Sequence, residues 1–181
     1  MESVDFYKDK VNPGRDTRLY NEWRMMDEAY SSHDSISYNV TKRNSSGMPL
    51  AYEITFHIKS ITGIQEADGQ GLQKPVFGEK HVLQIIIQNN YPSADGGYPD
   101  FKFLTDVWHP NVRFFGEFKG HVCLSFENSG TSTSLSEYVD KVAAYLRYDE
   151  YHALDEEPYP EDQTVAQWVR EQAEAQGWTV F

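Results

Sequence analysis

The chain has 181 residues, the length of one ordinary domain, and its 39% of hydrophobic and 14% of aromatic residues are typical of a globular protein. It carries 16 lysines and arginines against 28 aspartates and glutamates, so the net charge is −12. That balance argues against binding nucleic acid or an anionic membrane surface through overall attraction. We predict a single domain over residues 1–181, with a polar, flexible segment at 1–15.

The single cysteine, Cys123, excludes an internal disulfide bond and fits a reducing compartment. The first residues lack the basic and apolar segments of a signal peptide. No apolar run approaches the roughly 20 residues that a membrane-spanning helix needs. We therefore expect a cytoplasmic protein that contacts neither membrane nor nucleic acid.

Apolar residues recur at helical spacing from Leu19 to Tyr30 and predict a first helix over residues 16–31, with Asp16 or Thr17 as its N-cap. Four strands follow, at residues 36–41, 52–59, 81–88 and 101–104.

Between these strands, residues 44–47 read as a hairpin loop, and the glycine-containing stretch 63–78 reads as a long loop. Strict alternation of apolar and polar residues, clearest from Tyr52 to Lys59, is typical of an antiparallel sheet with one buried face.

Residues 105–133 show no clean periodicity, and a loop of that length in a compact domain is usually functional. A helix follows, because Ser134 and Glu137 form an S-x-x-E capping box ahead of an apolar stripe. Pro160 marks the first turn of a last helix that ends near Gly177. Because helices and strands are segregated along the chain, the fold class is α+β, with helices packed on one face of a meander sheet.

Chemistry concentrates in the long loop. The cysteine lies in the string Gly-His-Val-Cys-Leu at residues 120–124. A lone cysteine between apolar residues is most often a small buried hydrophobe, but its place in a long loop favours function. Upstream, His109 and Asn111 flank a proline. Residues of these types in a turn commonly hydrogen-bond the backbone, whereas an asparagine N–H also stabilises oxyanions.

Taken together, these strings resemble the core of the ubiquitin-conjugating enzymes, which hold ubiquitin or a ubiquitin-like protein as a cysteine thioester. The shared pattern is Tyr-Pro at 98–99, F-x-T at 103–105, His-Pro-Asn at 109–111 and G-x-x-C-L at 120–124. The resemblance spans most of residues 16–170. It implies that family's fold: an N-terminal helix, a four-stranded antiparallel meander sheet, a long active-site loop and C-terminal helices.

The resemblance also implies a thioester transferase with no cofactor and no metal. Cys123 would accept the C-terminal glycine of a carrier protein, and Asn111 would stabilise the oxyanion or order the loop beside it. His109 would be structural, and Glu157 would orient the incoming lysine. The implied partners are a ubiquitin-like protein, an activating enzyme and a target protein that offers a lysine.

Some features depart from the family pattern. Asn111 and Cys123 lie 12 positions apart, more than is usual in the family, and the extra residues within 113–119 include three phenylalanines that either pack or contact a partner. Thr-Ser-Thr at 131–133 replaces the family's Trp-Ser-Pro. The chain is thus closer to bacterial ubiquitin-conjugating-like proteins of anti-phage operons. One kind conjugates the C-terminus of a cGAS-like nucleotidyltransferase, and the other a modifier from its own operon; the sequence leaves both open.

Two other functions stay open at this point. A non-catalytic binding module of the same fold would not need Cys123 or His-Pro-Asn, both of which are present. A cysteine hydrolase would need direct contact between Cys123 and His109, for which the His-Pro bend gives no obvious geometry. A metal site at His121 and Cys123 would have only two ligands, so we predict none.

Overall fold

The chain is seen in a computed structural model that describes residues 3–67, 72–92, 97–124, 133–174 and 177. Within them, a 3-10 helix (Val4–Lys10) precedes helix α1 (Arg15–Tyr30), strands β1 (Ile36–Arg43), β2 (Pro49–Phe56), β3 (Ser60–Ala67), β4 (Leu72–Gly78), β5 (His81–Ile86) and β6 (Asp100–Phe103), helix α2 (Leu135–Leu146), and helix α3 (Gln163–Trp168), which continues as a π-helix over Val169–Glu174. The predicted α+β class is confirmed, as are the N-terminal helix, the four-stranded antiparallel sheet and the C-terminal helices.

The main sheet has the order β1-β2-β5-β6, and every neighbouring pair is antiparallel. Tyr52, Ile54 and Phe56 on β2 are fully buried, as their alternation predicts. The loop expected at residues 63–78 is wrong, because β3 and β4 pair there as a separate two-stranded hairpin. The sequence did not predict these two strands because they contain Gly63, which lies at a break in the register, and Pro75. Both residue types are depleted in strands.

Helix α1 packs on the core through Leu19, Trp23 and Met26. Its N-cap is Gly14, so the choice of Asp16 or Thr17 is wrong. The Asp16 carboxylate instead accepts hydrogen bonds from asparagine side chains, including Asn12 at 2.8 Å. An Asx side chain in the first turn of a helix is free to bond neighbouring loops in this way.

A buried carboxylate on α1 joins the helix to the start of α2. Glu22 is almost fully buried, accepts hydrogen bonds from the Tyr91 hydroxyl at 2.8 Å and the Leu135 N–H at 2.7 Å, and pairs with Arg18. A buried charge is tolerated only when it is paired and hydrogen-bonded. This network therefore fixes where the chain re-enters the fold after the long loop.

The C-terminal helices begin at capped residues. The predicted capping box of α2 is confirmed, because the Ser134 hydroxyl accepts from the Glu137 N–H and the Glu137 carboxylate accepts from the Ser134 N–H. Pro160 is not in the first turn of α3, whose N-cap is Asp162. An aspartate that accepts two backbone N–H groups sets the start of a helix more strongly than a nearby proline does.

Ahead of α1, where we expected a flexible segment, the 3-10 helix buries Val4 and Tyr7 in the core, and the Tyr7 ring packs on Trp23 at 5.2 Å. Gly47 permits this contact, since a side chain there would meet the Tyr7 ring. No helix of the described residues is long and apolar enough to cross a membrane.

Candidate active site

The long loop after β6 brings its two motifs side by side. Val112 and Val122 form an isolated antiparallel bridge, and the Cys123 N–H donates to the Asn111 carbonyl at 2.9 Å. Residues 113–120 leave this pair and return to it as a closed excursion. Asn111 and Cys123, which are 12 positions apart in the sequence, are therefore in direct backbone contact in space.

A glycine lets the cysteine segment lie against the sheet. Gly120 has a φ of +91°, and a Cβ atom there would lie 2.3 Å from the Phe103 carbonyl oxygen. The Phe103 N–H donates to the Gly120 carbonyl at 2.8 Å, and the Val122 N–H donates to Phe101 at 3.1 Å. Only glycine combines that φ with so close a backbone approach, so the first residue of G-x-x-C-L fixes the cysteine beside β6.

His109 is fully buried beneath this loop. Its Nδ1 accepts from the Asn111 N–H at 3.1 Å, so its Nε2 carries the proton and donates to the Glu150 carbonyl at 3.0 Å. The ring also stacks on Tyr145 with centroids 4.8 Å apart. Burial lowers the pKa of His109 to about 3, although the bond to the Glu150 carbonyl opposes the shift. The imidazole is neutral and both its nitrogens are occupied, which suits a structural role.

The Asn111 side chain joins the loop to the segment after α2. Its Oδ1 accepts from the His152 N–H at 2.9 Å, and the side chain lines a pocket of about 360 Å³ with Tyr145, Asp149 and Glu150. Its Nδ2 has no hydrogen-bond partner among the described residues. The bond to Oδ1 thus orients the Asn111 amide, and its Nδ2 remains available to donate a hydrogen bond to another group.

Cys123 is a free, partly buried thiol in a cleft of about 320 Å³. Tyr98, Pro99 and Leu124 give the cleft largely apolar walls. Burial raises the pKa of the Cys123 thiol, and the negative charge of Glu161 raises it further. The thiol is therefore protonated at neutral pH, unlike the activated thiolates of cysteine hydrolases.

A charged cluster beside this cleft was missed by the sequence reasoning. The Glu161 carboxylate lies 3.2 Å from Nδ1 of His121 and 3.4 Å from Nε of Arg113, and its side chain is only 17% exposed. The spacing of His121 and Cys123 hints at the cluster, because alternate residues of an extended chain face the same side. Nothing local in the sequence points to Glu161, which comes 40 positions after His121.

Asp162 docks α3 onto the active-site loop. One of its carboxylate oxygens accepts from the Thr164 and Val165 N–H groups, at 3.0 and 3.2 Å. The other accepts from the N–H groups of Phe114 and Phe115, at 2.9 and 3.4 Å. The carboxylate is buried, so all four bonds are sheltered from water.

The main chain adds to this docking, since the Asp162 N–H donates to the Pro110 carbonyl at 3.0 Å. Of the three phenylalanines in the excursion, Phe114 packs on Trp108 at 4.8 Å, and Phe115 packs on the same ring at 5.9 Å although it is half-exposed. Phe118 is exposed. Packing is thus confirmed for two of the rings, and contact with a partner stays a prediction.

Glu157, the carboxylate singled out by the family motif, is exposed. Its side chain makes no hydrogen bond or ion pair with any of the described residues, Asn111 and Cys123 included. The structure thus brings Asn111, His109 and Cys123 together in one loop and leaves Glu157 on the surface. Residues 131–132 of the altered motif lie outside the described residues.

No protein-family model matches the sequence, and no curated protein is significantly similar to it. Among solved structures, one that resembles the chain is the crystal structure of ubiquitin-conjugating enzyme E2 UbcA1 from Agrocybe aegerita. The two chains are 18% identical, the alignment covers 86% of this chain and 92% of that chain, and the TM-score is 0.46. A functional assignment therefore has to come from the chemistry of the site itself.

Proposed function

We propose that this protein is a ubiquitin-conjugating-like transferase. Cys123 carries the C-terminus of a ubiquitin-like protein, or of another protein, as a thioester and passes it to a lysine amine of a target. The observation that carries the proposal is the backbone pairing of Asn111 with Cys123, which sets His-Pro-Asn beside G-x-x-C-L in the fold order of that family. The proposed fold is accordingly that of the ubiquitin-conjugating enzymes.

Each site residue has a role in this reaction. Cys123 attacks the incoming thioester and holds the acyl group. The free Nδ2 of Asn111 stabilises the oxyanion or orders the loop near it, while His109 holds that loop from below. We assign the orientation of the incoming lysine to Glu157, on its position just before a proline in the acidic segment after α2.

The state of the thiol suits a carrier. Exchange of one thioester for another is nearly isoenergetic, so loading does not demand a strongly activated thiolate. A thiol with a raised pKa is a poorer leaving group than an acidic one. The raised pKa of Cys123 therefore slows attack on the loaded acyl group by water and by any amine that is not positioned.

The same geometry argues against a cysteine hydrolase that pairs Cys123 with His109. Such an enzyme needs an imidazole within hydrogen-bond reach of the thiol. Both ring nitrogens of His109 are already bonded, to the Asn111 N–H and the Glu150 carbonyl. The remaining alternative, a binding module that does not use its cysteine, is one outcome of the experiment below.

The proposed setting is bacterial anti-phage defence, in the cytoplasm. The partners are a ubiquitin-like modifier or the C-terminus of a cGAS-like nucleotidyltransferase, an activating enzyme and a lysine-bearing target. The support is the divergence of the chain from the mainstream family pattern: the longer excursion at 113–120 and the Thr-Ser-Thr at 131–133.

A covalent trap tests the carrier function. Wild type and Cys123→Ser are expressed in the native host with their flanking genes, and their intact masses are measured. We expect an adduct that thiols remove from wild type and not from Cys123→Ser, because the serine variant forms a stable oxyester. The adduct mass identifies the modifier. Folded protein without any adduct, with all neighbouring genes present, would favour the binding module.

A further inference from the structure

We propose that His121, held by Glu161, is the base that removes the proton from the amine as it attacks the Cys123 thioester. The inference rests on the proposed transferase function and adds a proton acceptor to it. It also assigns a role to a charged cluster that the family motif leaves unused.

The backbone places His121 and Cys123 on one side of the same short extended segment. Val122 between them is buried and bridges Val112. Because side chains alternate along an extended chain, the imidazole and the thiol both face away from the core. Both line the 320 Å³ cleft, so an amine that enters this cleft meets the imidazole beside the thioester.

Glu161 gives the imidazole a defined tautomer. A carboxylate only accepts hydrogen bonds, so Nδ1 of His121 carries the proton toward Glu161, and Nε2 is left as a proton acceptor. No hydrogen bond to Nε2 is formed by the part of the chain that the structure describes. An imidazole oriented in this way by a carboxylate can act as a general base.

The carboxylate is itself held in place. Arg113, across the excursion, lies 3.4 Å from it, and the neighbouring Asp162 is bonded to the Pro110 carbonyl. His121 also forms a backbone bridge with Lys102 of β6, whose side chain is exposed, and the titratable thiol of Cys123 lines the same cleft. Glu161 is thus a positioning residue that acts through His121.

The step balances without a further reactant. The neutral amine attacks the thioester carbonyl, so that a C–N bond forms and the C–S bond of Cys123 breaks. One amine proton passes to Nε2 of His121. The imidazolium then returns it to the departing Cys123 thiolate, which leaves an amide, a free thiol and a neutral imidazole.

A chemically loaded protein tests this step without a modifier or activating enzyme. The full chain is acylated on Cys123 with the thioester of a peptide that ends in Gly-Gly. It is then chased with Nα-acetyl-lysine, in which only the side-chain amine is free to attack. Intact mass gives the rate of discharge, compared with the same peptide thioester on glutathione. Because general base catalysis contributes about 10²–10⁴-fold and this histidine is half-exposed, we expect His121→Gln to slow discharge by about 10- to 100-fold.

Glu161→Gln should slow discharge less than His121→Gln, because loss of its charge also lowers the pKa of the Cys123 thiol and makes it a better leaving group. In the His121→Gln background it should therefore cause no further slowing. It should also flatten the rise of the discharge rate with pH toward that of His121→Gln. His57→Gln and Glu171→Gln are matched controls, since His57 is exposed just after β2 and the one hydrogen bond of the Glu171 side chain among the described residues is to Gln167. Both controls should discharge like wild type.

The outcomes separate the inference from the function on which it rests. If wild type discharges faster than the glutathione thioester and His121→Gln matches wild type, the base assignment is wrong while the transferase proposal stands. If wild type is no faster than the glutathione thioester, the transferase proposal fails and the base assignment fails with it.

Discussion

Acidification should destabilise the protein through His109, which is buried as a neutral ring beneath the long loop after β6. Free histidine has a pKa of 6.5, and burial lowers that of His109 to about 3. Between these pH values the unfolded chain binds a proton that the folded protein does not. The contribution of this ring to stability is therefore complete above pH 6.5 and is lost as the pH falls toward 3.

The size of the effect follows from the two pKa values. A difference of one pKa unit corresponds to about 1.4 kcal/mol. Between pH 7 and pH 5, protonation of the unfolded histidine should lower the free energy of unfolding by about 2 kcal/mol, and the full loss near pH 3 is about 5 kcal/mol. Burial also lowers the pKa of His81. Wild type, His109→Gln and His57→Gln all keep that residue, so its contribution cancels when they are compared.

Urea unfolding at pH 7 and pH 5, followed by tryptophan fluorescence, measures this loss. The decrease should be about 2 kcal/mol smaller in His109→Gln than in wild type, whereas His57→Gln should keep the wild-type decrease. Equal decreases in all three proteins would refute the reasoning. If His109→Gln does not fold, NMR of the wild-type ring gives the answer, since a His109 resonance that titrates near pH 6.5 would contradict its burial as a neutral group.

Three further variants test other parts of the site. Asp162→Ala removes a helix cap, costing about 0.5–2 kcal/mol, and leaves the Phe114 and Phe115 N–H groups without their acceptor at about 1–3 kcal/mol. The free energy of unfolding in urea should therefore fall by about 2–5 kcal/mol. Glu161→Gln removes a negative charge that raises the pKa of Cys123, so alkylation by iodoacetamide at pH 7 should become faster. Ser134→Ala should lower stability by about 0.5–2 kcal/mol, because it removes the cap of α2.

Clear contrary results exist for each variant. A loss below about 0.5 kcal/mol in Asp162→Ala would mean that water replaces the carboxylate at those N–H groups. Unchanged alkylation in Glu161→Gln would assign the raised pKa of the thiol to burial alone. A Ser134→Ala protein as stable as wild type would show that Glu22, through its bond to the Leu135 N–H, caps α2 without the serine.

Periodicity predicted most of the main sheet because burial on one face leaves a trace in the sequence. The alternation from Tyr52 onward and the capping box at Ser134 are local signals, and both are confirmed. The hairpin of β3 and β4 carries no such trace, since glycine and proline interrupt it. Propensity alone therefore favoured a loop where backbone pairing forms a second sheet.

The candidate site was predictable only where its residues are close in the sequence or in a known motif. His109, Asn111 and Cys123 fall into that group, and the structure places them in one loop. Glu161 reaches the cleft because Asp162 docks the start of α3 onto that loop, a tertiary contact without a local signature. The motif pointed to Glu157, whereas the fold brings Glu161 close enough for its negative charge to raise the pKa of the Cys123 thiol.

The closed excursion at residues 113–120 has a practical consequence for protein engineering. Its two ends are clamped to each other by the Arg113–His121 and Gly120–Arg113 backbone bonds, at 2.8 and 2.7 Å. The length of the peptide between the clamps is thus uncoupled from the distance between Asn111 and Cys123. The exposed tip around Gly116 is therefore a suitable insertion point for an epitope or a fluorescent reporter.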